Sequence, residues 1–254
     1  MSDPKKPETS RQAFKLSVPL RRALLLAVGA FALAFPPALL YLQSNPESFS
    51  AAPVKPAAPA PRLAHFGGER PSVDVRHMAN WVATSRDNKT MSFVIVDKKD
   101  SKVYVFNPAA QLVAVAPALL GSAIGDDTAP GIGDKPLAQV LPEEKTTPAG
   151  RFIAETGDST RGEDVVWVDY DAAVSMHRVL NVPERLKSLA SPTIEDNRIS
   201  FGCINLPPQF YENVLRPAVQ NGGAVIYVLP ETRTLAETFA AFHDVEAPVK
   251  VAQH

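Results

Sequence analysis

Arg198-Ile199-Ser200-Phe201-Gly202-Cys203-Ile204-Asn205 contains the single cysteine of a 254-residue chain. With no second cysteine there is no intramolecular disulfide, so the thiol either packs as a small hydrophobe or stays free for chemistry. Ile199 and Ile204 suit the first reading. Gly202 suits the second, because a residue without Cβ lets backbone and substrate approach closely. Consecutive N–H groups at a Gly-Cys pair can also face a developing oxyanion, as acyl transfer requires. These local features leave nucleophile and inert thiol both open.

A thiol nucleophile needs a base. His177 lies upstream in Val174-Ser175-Met176-His177-Arg178-Val179, which reads as the end of a strand. His65, His77, His243 and His254 fall in a linker, an early helix or the tail. One cysteine and one nearby histidine make a poor ligand set for a metal ion. A third element is Thr146-Thr147-Pro148-Ala149-Gly150-Arg151-Phe152. Pro148 and Gly150 at the second and fourth positions after Thr146 predict a tight turn leading into a strand.

Around these elements the chain reads as mostly strands. Met91 to Asp97 and Lys102 to Asn107 are rich in Val, Ile, Tyr and Phe and flank the charged turn Asp97-Lys98-Lys99-Asp100. Gln111 to Ala116, Phe152 to Glu155, Val165 to Tyr170 and Ala224 to Leu229 read as further strands. Ser72 to Thr84 predicts an amphipathic helix with Val73, Val75, Met78, Trp81 and Val82 inward. Pro207 to Val219 and Thr232 to His243 predict two more helices. Gly121 to Glu144 is a long loop rich in Gly, Asp and Pro, of the kind that is usually functional or mobile.

In family order, the strands from Phe93 to Asn107, Thr147-Pro148-x-Gly150-x-Phe152, His177 and Ser200-x-Gly202-Cys203-x-Asn205 resemble the catalytic domain of L,D-transpeptidases, the YkuD-type domain. The resemblance spans Met91 to Pro230. It implies a mainly β, mixed sandwich or barrel-like domain with a few short helices. It also implies a peptidoglycan L,D-transpeptidase without metal or cofactor. Cys203 would attack a tetrapeptide stem after its third residue, releasing D-alanine and leaving a thioester. An amine of a second stem, or of an acceptor protein, would then take the acyl group. His177 would be the base and proton donor, oriented by the backbone carbonyl of Arg178. Backbone N–H groups of Phe201, Gly202 and Cys203 would stabilise the oxyanion, and Ser200 would brace their loop.

Asn205, Arg198, Arg151 and Thr147 are candidate substrate-binding residues. Arg178 joins the two arginines as a possible partner of a stem-peptide carboxylate through charge-assisted bonds. Two departures stand out. Phe201 occupies a position where the family commonly has histidine, which removes a side-chain donor beside the nucleophile. The segment from Leu180 to Arg198 lengthens the spacing between His177 and Ser200, as a lid, an acceptor-binding loop or a neutral surface loop. The alternatives are a hydrolase or amidase of the same fold, and a non-catalytic wall-binding protein weakened at Phe201. A sortase fits less well. Arg216 follows Cys203, but the Thr-Leu-x-Thr-Cys strand of that family is absent.

The N-terminus sets the expected compartment. Lys5, Lys6, Arg11, Lys15, Arg21 and Arg22 precede an uncharged apolar run from Ala23 to Leu42. That run is long enough to cross a bilayer core, which takes about 20 residues. The basic flank then stays cytoplasmic and the rest of the chain is exported. Pro36 and Pro37 would kink a spanning helix, so a cleavable signal peptide is the other reading. Residues 1–22 are thus the cytoplasmic segment, 23–42 the anchor or signal peptide, and 43–71 a Pro/Ala-rich linker. A leading helix region (72–90), the catalytic domain (91–230) and a C-terminal helix and tail (231–254) follow. The expected location is periplasmic, with the inner membrane as a partner. The formal net charge of −1 argues against a nucleic-acid partner.

Overall fold

The computed structural model describes residues 62–246. The basic segment, the apolar run, most of the Pro/Ala-rich linker and the last eight residues lie outside the described residues. Within them, no helix is long and apolar enough to cross a membrane.

The fold is mainly β, with a few short helices. Helix α1 (Val73–Ser85) begins at Ser72, whose Oγ accepts from Val75 N–H, and stops at Arg86 in the left-handed region. Strands β1 (Ser92–Asp97), β2 (Lys102–Phe106) and β3 (Leu112–Pro117) form an antiparallel meander. Two short strands, β4 (Leu120–Gly121) and β9 (Arg198–Ser200), pair in parallel. With β5 (Gly150–Ile153) and β11 (Ala224–Val228) the meander makes a five-stranded sheet in the order β3-β2-β1-β11-β5. A four-stranded sheet has the order β10-β8-β7-β6, from β6 (Glu155–Asp158), β7 (Asp164–Asp169), β8 (Val174–Arg178) and β10 (Ile204–Leu206).

Alternation of side chains across the pleat assigns each strand two packed faces. Val94, Val96, Val103, Val105, Ile226 and Val228 meet Val166, Met176, Ile204 and Leu206 of the second sheet in one core. Phe93, Ile95, Tyr104, Phe106, Val225 and Tyr227 point the other way, onto Val75, Met78, Trp81 and Val82 of α1. The five-stranded sheet is covered on both sides, which explains why its central strands are apolar at almost every position. Val73, expected inward, is exposed at the start of α1.

Several expected elements change. The stretch from Phe152 to Glu155 is no single strand: Ala154 separates β5 from β6, and the chain crosses from one sheet to the other there. The tight turn at Thr147 is absent. Thr147 C=O accepts from Lys98 Nζ (2.9 Å) where a turn would bond it locally, and the chain runs extended into β5. The segment from Leu180 to Arg198 holds a helix, α2 (Pro183–Ala190). The Pro207–Val219 helix breaks into α3 (Pro208–Phe210), a π segment (Tyr211–Leu215) and α4 (Arg216–Gln220). The C-terminal helix shrinks to α5 (Leu235–Thr238), because Phe239 turns into the core against Tyr227.

The folded unit also starts earlier than composition suggested. His65 N–H donates to Ala110 O (2.9 Å), Leu112 N–H donates to His65 O (2.8 Å), and the Phe66 ring meets Phe106 edge-on. His65 and Phe66, read as part of the linker, thus pack at the start of β3, where unpaired backbone groups need partners.

Candidate active site

Cys203 lies between β9 and β10, where the chain enters the four-stranded sheet. β10 pairs in parallel with β8, with Asn205 opposite His177 and Ile204 opposite Met176. That register brings the histidine beside the cysteine loop. On β8, Val174 and Met176 go into the core, so Ser175 and His177 share the opposite face. Ser175 Oγ lies 3.7 Å from Cys203 Sγ, and Ala173 O is a further contact at 3.6 Å.

His177 Nδ1 donates to Arg178 O at 2.7 Å. A carbonyl only accepts, so this contact puts the proton of the neutral ring on Nδ1 and leaves Nε2 as the acceptor. Asn205 Nδ2 sits 3.4 Å from Nε2 and 3.2 Å from Cys203 O, which ties the imidazole to the cysteine loop. Burial by itself pushes the Cys203 thiol up. Its hydrogen bond and charge interaction with His177, together with Ser175, outweigh this and hold it below the ordinary thiol value of 9.0. Burial by itself pushes His177 down; its hydrogen bond and charge interaction with Cys203, and its bond to the Arg178 carbonyl, raise it above 6.5. Both shifts favour a thiolate facing an imidazolium.

The loop around the thiol is tightly braced. Ser200 Oγ donates to Cys203 O (2.6 Å) and accepts from Gly202 N–H (3.1 Å). Gly202 N–H is therefore occupied, and it is not available to an oxyanion as the sequence suggested. The N–H groups of Phe201 and Cys203 have no acceptor among the described residues. Gly202 has φ +126°, and a Cβ there would lie 2.7 Å from Thr146 O. Gly202→Ala should therefore destabilise the fold by about 1–3 kcal/mol through backbone strain. It should also slow acylation by about 10²-fold, because a displacement near 1 Å is enough for that. Thermal melting and adduct formation measured on the same sample check both effects.

Four expected substrate contacts turn out to be committed elsewhere. Thr147 is fully buried; its Oγ1 accepts from Gly121 N–H (2.9 Å) and donates to Gly202 O (2.8 Å), so it clasps the cysteine loop from behind. Asn205 is buried and its amide group bonds Cys203 O (3.2 Å), so it braces the loop and the imidazole. Arg198 is paired with Glu231 and donates to Lys98 O (3.0 Å). Arg151 pairs with Asp87 (2.6 Å), just beyond α1. Arg178 also spends its guanidinium within the protein, on Asp164 (2.8 Å) and Glu212, with Tyr211 under it.

Sequence reasoning missed three supports. Ser175 was legible in principle, two residues before His177 on the same strand face. Arg185, on α2, donates to Asn205 Oδ1 (3.3 Å), and nothing local marks it. Lys98 read as part of a charged turn, yet it is fully buried. Its Nζ bonds Gly125 O (2.6 Å), Asp126 (2.8 Å) and Thr147 O (2.9 Å), with Glu231 at 3.4 Å. Burial raises the Asp126 carboxyl, but Lys98, Thr232 and backbone N–H groups overcome that and hold it far below the usual carboxylate range. Among the described residues no group of three His, Cys, Asp or Glu side chains is arranged to hold a metal ion.

No protein-family model matches the chain, and no curated protein matches it. Similar solved structures include a cysteine-to-serine mutant of an Enterococcus faecium L,D-transpeptidase, with 16% identity over 55% of this chain and 50% of that one, at a TM-score of 0.33. The LD transpeptidase LdtMt1 in complex with imipenem is another, with 18% identity over 54% and 58% and a TM-score of 0.31. The catalytic domain from the E. faecium L,D-transpeptidase is matched over 55% of this chain and 98% of that one, with 15% identity and a TM-score of 0.33. This chain spans half the length of the first of these. The likenesses are distant, and the chemistry of the site is carried by its own side chains.

Proposed function

We propose that this chain is a cysteine acyltransferase of the L,D-transpeptidase kind, acting on peptidoglycan stem peptides outside the cytoplasmic membrane. The observation that carries the reading is a relay in which the His177 imidazole, its Nδ1 held 2.7 Å from Arg178 O, keeps the Cys203 thiol below its ordinary value. A thiol of lowered pKa beside a fixed imidazole is the arrangement nucleophilic acyl transfer needs.

In this reading Cys203 Sγ, as thiolate, attacks the carbonyl carbon that follows the third stem residue. The tetrahedral oxyanion is met by the N–H groups of Phe201 and Cys203, which have no other partner among the described residues. Collapse breaks the C–N bond, and His177 gives its Nε2 proton to the departing D-alanine amine. A thioester remains on Cys203. The attacking amine of an acceptor then loses a proton to His177 as the new amide forms, and the thiolate leaves with its electron pair. Water in place of the amine makes the same site a hydrolase. Phe201 does not interrupt this sequence, because the relay is complete without a side chain at its position. The location follows from the basic flank and apolar run before residue 43, which would hold the domain on the outer side as an anchor or direct its export as a signal.

Incubating the full-length chain with a carbapenem or a tetrapeptide-bearing muropeptide should give a covalent adduct by intact mass. Cys203→Ala should give none. A wild-type chain that stays unmodified by both reagents under reducing conditions would overturn the reading. With an acceptor stem added, product masses tell amide transfer from hydrolysis.

A further inference from the structure

The cations that sequence proximity offered for substrate carboxylates are neutralised inside the protein. Arg151 is held by Asp87, Arg178 by Asp164 and Glu212, and Arg198 by Glu231. Lys145 is different. Its Nζ sits 4.0 Å from the centroid of the Phe201 ring, and it pairs with no carboxylate among the described residues.

Of the carboxylates around it, Glu143 is exposed and pairs with no cation among the described residues, while Glu144 and Asp127 are engaged elsewhere. Glu144 directs both oxygens at Lys135 Nζ (2.8 and 2.6 Å) and also accepts from Leu141 N–H. Asp127 faces Arg233 at 2.9 Å. Arg185 also lacks a carboxylate, but its guanidinium is directed into the protein at Asn205 Oδ1 (3.3 Å). Lys145 keeps its charge unpaired on Phe201, two residues before the nucleophile.

Phe201 explains how that charge is positioned. The ring is 42% exposed and lies two residues before Cys203. Its π face attracts an ammonium and holds it without neutralising it. Such a seat holds Nζ without using up its hydrogen-bond donors on an anion. A neutral histidine at the same position would hold the ammonium less well. Phe201 thus acquires a purpose in place of the missing donor.

We propose that Lys145, seated on Phe201, is the donor-side carboxylate-binding group of this site, and that it selects peptides with a free carboxylate flanking the scissile amide. The proposal rests on the acyl-transfer reading for the identity of the peptide, but not for the binding itself. An ammonium–carboxylate bond at a partly exposed site is worth about tenfold in affinity.

The test uses full-length Cys203→Ala, which has no nucleophile to acylate, titrated calorimetrically with a tetrapeptide stem ending in meso-diaminopimelate and D-alanine. Adding Lys145→Met should weaken binding about tenfold, and Lys145→Arg should restore it to within about threefold. Amidating the terminal carboxylate, or the side carboxylate of the third residue, places the contact. The amidated form that loses affinity should bind the parent chain and its Lys145→Met variant alike, closing a double-mutant cycle. Equal affinity of the Lys145→Met and parent chains for every donor overturns the proposal, as does failure of the parent chain to bind any of them. Acylation of wild-type Cys203 that ignores Lys145 sinks this proposal and leaves the enzyme reading standing. Lys145-dependent binding without acylation does the reverse.

Discussion

Replacing His177 by alanine should slow acylation of Cys203 by about 10²- to 10⁴-fold while leaving the fold intact. Two separate losses add up in this variant. The thiolate loses the partner that lowers its pKa, and the departing amine loses its proton donor. The first loss can be read without substrate. Alkylation by iodoacetamide, followed across pH, reports the thiolate fraction. For the wild type its midpoint should lie below 9.0, because Cys203 is held down by His177 and Ser175 against the opposing effect of burial. Reactivity is then retained further down in pH than for an ordinary thiol and lost as pH falls through the lowered value. In His177→Ala the burial remains and the counter-charge is gone, so the midpoint should move up to 9.0 or beyond. An alkylation profile unchanged by the substitution would remove His177 from the mechanism. Because the two groups titrate as a pair, the measured midpoint belongs to the pair. The raised pKa of His177 gives the opposite limb: above that value the imidazolium is lost, and protonation of the leaving amine with it.

The second large effect is on stability and lies behind the site. Lys98→Met keeps the volume of the side chain but leaves Asp126 with only the more distant Arg233 (3.7 Å) and Glu231 with only Arg198, in a region closed to water. Removing one member of a buried ionic network costs about 3–5 kcal/mol, since the remaining charges stay uncompensated. For a domain of this size that is a fall in Tm of about 6–20 °C. The sign of its pH dependence follows from Asp126, whose carboxyl is held well below 3.8 despite burial. A depressed carboxylate contributes stability above its unfolded value and loses it as pH falls through its folded one. In Lys98→Met the folded value rises, so the deficit should be constant above that raised value and narrow as pH falls from it towards the lower wild-type one. Thermal melts of both proteins across that range check it. A deficit constant across that range too would mean that Lys98 acts through packing and not charge. Its effect should reach the chemistry too, because Lys98 holds Thr147 O and Thr147 Oγ1 holds Gly202 O.

Much of the architecture could be read along the chain. Strands β1, β2, β3, β7 and β11 announce themselves through Val, Ile, Tyr and Phe, and each lies within a residue or two of its expected place. The start of α1 follows from Ser72, whose hydroxyl caps the helix. The C-terminal helix did not follow, because the apolar spacing of Phe239 and Phe242 serves contacts with Tyr227 and Trp81 that a continuing helix would not make. The turn at Thr147 failed for a related reason: Pro and Gly permit a turn, but a buried ammonium offered its carbonyl a better partner.

Within the site, residue identity and order marked Cys203, His177 and Gly202, since a lone thiol, an imidazole and a residue without Cβ have few substitutes in this chemistry. Which arginines are free and which lysine is buried depended on partners far away in sequence. Arg198 meets Glu231, Arg178 meets Asp164 and Glu212, and Lys98 meets Asp126. A charge on the chain declares its sign but not its partner, and only packing decides whether it is answered inside the protein or left for a ligand. By itself the sequence determined a mainly β domain and marked a candidate cysteine nucleophile with a candidate base. The tertiary structure decided that the conspicuous arginines serve the fold, and it set Lys145 on Phe201 with no carboxylate partner among the described residues.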